Sequence, residues 1–598
     1  MAAIQSSLAA QIDHVAAIAG SDVAQFYVRD ADPGAIAQTM TFDAFARETR
    51  RRAAALTELG VGPGDVVTTM IPLGQTSYPT LFATLVTATA APVNYFLKPE
   101  ALIRLITAAG ANVLLAARRF DDDEAAPEKI AAIRQAFPDL RIIAFGEGAP
   151  IEGEVDLDAC AARQTGERWP DHAARQAAER VVALFHTGGT TGLPKLVPHT
   201  EQMYLSMLSS CGHAQGMGVG EIMLSALPLF HTSGALQAGL VPLLNGTGIV
   251  IPSARGFRDP GAIKNYWRFV SRYGVTVGAA VPTVLAALTA SAPDCDVTSL
   301  KRMLCGAAPV SRTTIETIAR LTDGAEVLEG WGMTETCGFS MLNPHGAPKV
   351  GSVGRPFPGV EAEIRKADAK GELSALCAVD EIGELVVRGT IVIGDYARSR
   401  PEAFTADGWL RTGDLARVDA DGYFWITGRA KDIIIRGGHN IDPALIEEPA
   451  YQHPAVQLAA AIGKPDKYAG ELPILFVQLK PGAEVEADAL HDFVMARVLE
   501  RAATPKEVHI VPAIPLSGPG KISKLELRRG TIARTFQSEL DRLGLPLALT
   551  AHVVDDDRAG TLVVIESGGC VTPAARDAVA KALDGYPVSF CWKDEHGS

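Results

Sequence analysis

Residues 185–199 read FHTGGTTGLPKLVPH: three glycines, three threonines and a lysine within nine positions, directly after the apolar run Val181–Phe185. An apolar run that gives way to such a segment predicts a strand emptying into a loop whose backbone bends freely and exposes its N–H groups. Amides, hydroxyls and one ammonium suit anionic oxygens. An ordinary surface turn has the same composition, so the rest of the chain must discriminate. One alternative falls at once. A Walker-type loop requires GxxxxGK[ST], and here Leu193-Pro194 separate the last glycine from Lys195.

With 598 residues, the chain exceeds what one hydrophobic core supports, and two to four domains are expected. A hydrophobic fraction of 47% and a charged fraction of 21% are those of an ordinary soluble globular protein. The formal net charge of −14 argues against nucleic-acid binding and against adhesion to anionic membranes, but not against small anionic ligands that respond to local fields. No apolar run reaches the ~18 residues of a spanning helix. The stretch Leu81–Ala91 reads as a buried helix, and the first residues carry no basic segment ahead of an apolar one. Eight cysteines without CxxC spacing suit reduced thiols rather than a disulfide framework or a zinc site. A cytoplasmic protein is expected.

From about Phe42 to Pro293, helix-compatible stretches alternate with short β-rich ones: residues 65–72, 111–117, 140–145, 247–252 and 275–282. That alternation predicts α/β layering on parallel strands. Between about 351 and 428 the texture changes to shorter strands with turn signals, among them Asp421-Gly422 between two apolar runs. A second α/β pattern starts near Lys431. After a helix over roughly 524–544, the last fifty residues predict a strand–strand–helix–strand module. The expected fold is therefore α/β: a large N-terminal domain of layered α/β subdomains (1–430, with a β-rich subdomain at 351–428), a hinge, a small mobile C-terminal α/β domain (431–535) and an extra α+β tail (536–598).

Further segments follow the glycine-rich loop in order: LPLFHTSG (227–234), CGAAP (305–309), EGWGMTET (329–336), GWLRTGD (408–414), GRAKDIIIRGGHNIDPALIE (428–447) and PLSGPGKISKLELR (515–528). Together with the loop they resemble the adenylate-forming superfamily: acyl-CoA synthetases, peptide-synthetase adenylation domains and firefly-type luciferases. The resemblance covers roughly residues 40–530 and leaves out the tail.

That resemblance implies attack of a carboxylate on the α-phosphorus of ATP, then displacement of AMP by a thiol. An anion approaching a polyanion meets a largely electrostatic barrier. By the family pattern, Thr187, Gly188, Gly189, Thr190, Thr191 and Lys195 hold the β- and γ-phosphates, Thr334 donates to the α-phosphate, and Glu335 holds Mg²⁺, a hard ion that takes one or two carboxylates. Asp414 accepts the ribose hydroxyls, Arg429 adds a second contact, and Trp331 stacks beneath the adenine against the Gly306-Ala307-Ala308 backbone, within the Glu329-Gly330-Trp331-Gly332 segment. His231 takes the family's gating position. Lys521 bridges the attacking carboxylate and the α-phosphate, and Lys431 is the hinge about which the small domain rotates. Gly437, Gly438 and Asn440 match positions that meet nucleotide and CoA. Taken singly, several of these have plainer uses: Trp331 as a core aromatic, His231 as a satisfied structural histidine, Asp414 as a turn cap.

Three departures from the family stand out: Gly188 where serine is common, Leu196 where glycine is usual, and Glu329 where Gln or Asn is frequent. The Glu329 carboxylate would accept from the adenine amine. Ser233, Gln237, Gly306–Ala308, Gly332 and Cys337 are expected to line the acyl pocket, and their small uncharged character favours a medium-chain, cyclic or aromatic acid over acetate. No carrier domain follows, so free CoA is the expected thiol. A stand-alone enzyme loading a carrier protein is the alternative. A luciferase-type oxygenase and a catalytically silent nucleotide-binding scaffold are further rivals, and intact Lys195, Glu335, Asp414 and Lys521 argue against the scaffold. An amino-acid substrate is disfavoured because residues 230–235 hold no Asp. The tail is expected to stiffen the small domain or to pair strand edges across a homodimer.

Overall fold

A computed structural model describes residues 3–174, 179–187, 195–367, 372–429, 432–436, 439–498, 500–517, 521–556 and 560–593. The chain is α/β, with a large N-terminal and a small C-terminal part. Two sheets form the layers of the large part: one of seven strands and one of nine. Expected strands appear as Val66–Met70, Val113–Ala117, Arg141–Phe145, Gly248–Ile251 and Val277–Ala280, and these strands run parallel to their sheet neighbours, with antiparallel pairs toward the sheet ends. The apolar stretch near residue 81 is a fully buried helix, Ser77–Thr87, as expected. It ends earlier than its composition suggests, because Thr89–Pro92 leave it as a strand of the seven-stranded sheet.

Parallel strands place the start of every following loop at one edge of the sheet, the edge where ligands collect in open α/β folds. In the nine-stranded sheet the parallel strands Ile222–Leu224, Val277–Ala280, Arg302–Cys305 and Glu326–Met333 all point their C-terminal ends to that edge. The segments that follow them carry His231, Pro282, Gly306–Ala308 and Thr334–Glu335. The third sheet is antiparallel, with five strands between Val360 and Arg429, and forms the β-rich unit.

In the small part, the long antiparallel pair Val456–Asp466 and Gly470–Leu479 packs on the helix Ala444–Tyr451. The helix Lys524–Arg542 follows three residues after Lys521 and serves two cores. Its Leu527 packs with Leu458, Ile474 and Phe476, and its Ile532, Phe536 and Leu540 pack with the tail. The tail pairs Leu549–Asp556 antiparallel with Gly560–Ser567, crosses through the helix Pro573–Leu583 and returns as Ser589–Trp592 parallel to the middle strand. The border expected at 535–536 thus falls inside a helix whose last two turns belong to the tail's core. Lys467, in the turn of the long hairpin, adds a polar tie: its Nζ lies 3.1 Å from Glu539 and 5.1 Å from the ring centre of Tyr586.

Val563 is fully buried in the tail's middle strand. Val563→Asp places a carboxylate there without a partner, which costs several kcal/mol or neutralises the acid. Limited proteolysis should then cut first beyond residue 545, and calorimetry should show a lowered melting temperature.

Candidate active site

The glycine-rich loop joins two antiparallel strands at one edge of the seven-stranded sheet: Val181–Thr187 and Lys195–Thr200. Thr187 and Lys195 face each other in register, so the hairpin fixes both ends of the loop. Gly188, Gly189, Thr190 and Thr191, the expected hinge residue Lys431 and the Gly437-Gly438 pair lie outside the described residues. Of Arg429 and Asn440 only the backbone is described: Arg429 pairs across the strand with Asp414, and Asn440 with Ile435.

Thr334 and Glu335 sit on a one-turn 3₁₀ helix, Thr334–Thr336, at the end of the Glu326–Met333 strand. Three tethers hold it. The Thr336 hydroxyl accepts from the Met333 N–H at 3.0 Å and lies 2.7 Å from the Gly338 carbonyl. Nε2 of His199 lies 2.7 Å from the Thr334 carbonyl, which can only accept, so Nε2 carries the proton and Nδ1 takes the Tyr204 hydroxyl at 3.2 Å. Gln237, on the π-helix Ser233–Leu240, donates to the Cys337 carbonyl at 3.0 Å and accepts from Gln215 at 2.6 Å. Cys337 itself has a left-handed backbone at φ 56°. Gly332 has no alternative there, since a Cβ would stand 1.8 Å from the Gly338 carbonyl oxygen.

Glu335 is 5% exposed, and its Oε1 accepts from the Tyr396 hydroxyl at 2.7 Å. The same tyrosine ring lies 5.7 Å from Nζ of Lys195. Trp331 is buried with Met341, Ile364, Leu385 and Leu410 in the core of the β-rich unit, and its indole N–H donates to Asp414 at 2.8 Å. The expected adenine-stacking and ribose-binding residues are therefore bonded to each other, and one oxygen of Asp414 is committed to the indole. Glu329 is 7% exposed and accepts from the Gly351 N–H at 2.7 Å. Burial pushes its carboxyl up to about 7, with the nearby Glu448 of the small part acting in the same direction.

His231 lies close enough to Lys521 for the ammonium to depress its pKa, after burial and together with His186, to about 4. The small part thus presents Lys521 to the site. Ile522 and Tyr451 from the same part meet Ala308, Pro309 and Ser311 across a narrow gap of about 40 Å³. The Ser233 N–H donates to Nδ1 of His231 at 3.2 Å, which leaves the proton on Nε2. Burial likewise pushes His186 and His199 down to about 4, so all three imidazoles are neutral near pH 7. Of the expected acyl-pocket residues, Ser233 is part-exposed, whereas Gln237 and Cys337 are buried beneath the Thr334–Glu335 turn. Sequence reasoning missed His199, Tyr204 and Tyr396. The two-residue period of the strand after the loop, which sets Lys195, Val197 and His199 on one face, was a usable signal for the first.

The chain matches two family models: the AMP-binding enzyme family over residues 12–397 and the AMP-binding enzyme C-terminal domain over 445–521. It is similar to marinolic acid–CoA ligase of Pseudoalteromonas sp. (strain SANK 73390), with 34% identity over 85% of this chain and 78% of the relative. It is similar to feruloyl-CoA synthase of Amycolatopsis sp., with 33% identity over 82% and 94%. Among solved structures it resembles an anthranilate CoA ligase in complex with anthranoyl-AMP, with a TM-score of 0.78 and 26% identity over 89% of this chain and 98% of that one.

Glu329 yields a pH prediction. Its carboxyl keeps a proton up to about 7 in the folded chain and loses it near the ordinary value of 4.5 in the unfolded chain. The folded state therefore binds more protons between those values, and stability falls as pH rises through them. Against Glu329→Gln, which cannot titrate, the wild type should lose up to about 3 kcal/mol of relative stability from pH 4.5 to 7 and nothing further above 8. Paired melting curves across pH check this.

Proposed function

Because the chain belongs to the AMP-binding enzyme family, we infer that it joins a carboxylic acid to CoA with ATP, through an enzyme-bound acyl-adenylate. It is a carboxylate–CoA ligase. In the first step a carboxylate oxygen of the acid bonds to the α-phosphorus, and pyrophosphate leaves with the electron pair of the broken P–O bond. In the second, the CoA sulfur bonds to the acyl carbon and AMP leaves with the pair of the broken C–O bond.

The residue roles follow the family pattern, and the observation that supports them is the convergence of Glu335 and Lys195 on Tyr396, with Ile522, next to Lys521, facing Ala308 across the gap. Lys521 binds the incoming carboxylate and the α-phosphate, where a charge at ~4 Å is worth about 4 kcal/mol at an effective dielectric of 20. Lys195 and the loop with Thr187, Gly188, Gly189, Thr190 and Thr191 hold the outer phosphates. Thr334 donates to the α-phosphate from a turn already fixed at three points. Asp414, oriented by the Trp331 indole, accepts from the ribose, with Arg429 beside it on the next strand. Glu329 and the Gly306–Ala308 segment border the adenine. His231, neutral and protonated on Nε2, offers a donor without adding charge. Glu335, a buried hard-oxygen carboxylate, fits Mg²⁺, and the ion screens the phosphate charge when bound with ATP. Lys431 is the hinge, and Gly437, Gly438 and Asn440 form the face that meets CoA in the thioester step.

The acid is aromatic, cyclic or medium-chain in this proposal. The small, part-exposed Ser233 supports it, as do the feruloyl and anthranilate substrates named for relatives. Residues 1–430, 431–535 and 536–598 are taken as its functional units, with the last two sharing one helix. A cytoplasmic site of action, no nucleic-acid or membrane partner, and a homodimer paired through the tail's strand edges complete it. Among the described residues no helix is long and apolar enough to cross a membrane.

Lys521→Ala should slow acyl-adenylate formation by about 10²–10³-fold, the scale for losing one transition-state donor. It should spare thioester formation from pre-made acyl-AMP and CoA. Pyrophosphate release and CoA-dependent AMP release, assayed separately over a panel of carboxylic acids, test both the role and the acid. Equal loss in the two half-reactions removes the assignment.

A further inference from the structure

The segment after the Gly383–Gly389 strand is stitched to both halves of the phosphate site. The Ala397 N–H donates to the carbonyl of Leu196, the neighbour of Lys195, at 3.0 Å, and the Ile393 N–H donates to the carbonyl of Glu335 at 3.0 Å. Asp395 fixes the bend between them, accepting from the N–H groups of Tyr396 at 2.8 Å and Arg400 at 3.0 Å. Tyr396 is thereby held 8% exposed, with its hydroxyl on Oε1 of Glu335 and its ring 5.7 Å from the Lys195 ammonium.

One side chain thus does two separable things. A ring face within about 6 Å attracts a cation and so helps to seat the lysine ammonium. A hydroxyl donating to one carboxylate oxygen fixes the plane of the group and directs the other oxygen. We propose that Tyr396 is a positioning residue for nucleotide binding: its ring seats Lys195 for the phosphates, and its hydroxyl sets the Glu335 carboxylate for the magnesium that ATP brings. This rests on the roles proposed above for Lys195 and Glu335.

The test is ATP binding to the full chain by calorimetry, without carboxylic acid, once in excess chelator and once across a magnesium titration. Tyr396→Phe keeps the ring and a near-identical shape. Binding of metal-free ATP should stay within about twofold of wild type, while the free magnesium needed for half of the metal-dependent tightening rises about tenfold or more, the worth of one hydrogen bond to a charged group. Tyr396→Leu removes the ring as well, and metal-free ATP should then bind about three- to fivefold more weakly too. If Tyr396→Phe leaves the magnesium dependence unchanged, or weakens metal-free ATP as much as Tyr396→Leu does, the inference is overturned. Glu335→Gln separates the levels. If it too leaves the magnesium dependence unchanged, the role of Glu335 and this inference fall together. If it shifts that dependence while Tyr396→Phe does not, only Tyr396 loses its place.

Discussion

Like charge opposes the chemistry at its outset: a carboxylate must approach a triphosphate closely enough to bond with it. Background salt screens little inside a closed site, so the field has to be built from fixed groups. The chain meets this with two lysines from different parts of the fold. Lys195 stands at the end of a hairpin in the large part, facing Thr187 across the loop. Lys521 arrives from the small part, close enough to His231 to depress its imidazole. In the proposed function, the sheets, the turn at Thr334 and the small part serve to bring those two cations to bear on one nucleotide.

The parallel sheet supplies the convergence. Adjacent strands with one direction begin their outgoing loops side by side, so residues as distant in sequence as His231, Ala308 and Glu335 leave the same edge. Loops at such an edge carry unpaired backbone groups and would wander without tethers. Here the Thr334–Glu335 turn is held from behind by neutral His199 and by Gln237, and flanked by Tyr396. Each tether comes from a different element, and all are buried or nearly so.

Much of this was legible in the sequence. The strand before the loop, the parallel strands, the Asp421-Gly422 turn and the order of the tail's elements follow from periodicity and turn chemistry, which act within a few residues. Polar pairing across long separations was hidden. Nothing local tells that the Trp331 indole donates to Asp414, 83 residues on, or that Tyr396 meets Glu335, 61 residues back. Cys337 and Gln237 looked like pocket lining because they are near the motifs in sequence; burial turned them into supports beneath the turn. The border at 535–536 failed for a related reason: Phe536 and Leu540 continue the helical period of Leu527 and Ile532, and only packing reveals that they serve a second core.

The protonation pattern bears on the proposed role of Lys521. Three imidazoles lie within the hairpin, the strand after it and the His231 segment, and burial keeps all three neutral near pH 7. They orient groups without adding positive charge, so the potential at the α-phosphate depends strongly on whether Lys521 is present. A fixed cation in its place would hold pyrophosphate and AMP equally well before and after the first step. With the proposed hinge at Lys431, a cation on a separate part leaves once the adenylate exists, and with it goes part of the attraction that retains the pyrophosphate. The helix that starts three residues beyond Lys521 extends into the tail's core, so the segment of Lys521 and the tail share one packed helix. The packing of the tail therefore bears on how rigidly Lys521 is presented in the proposed function.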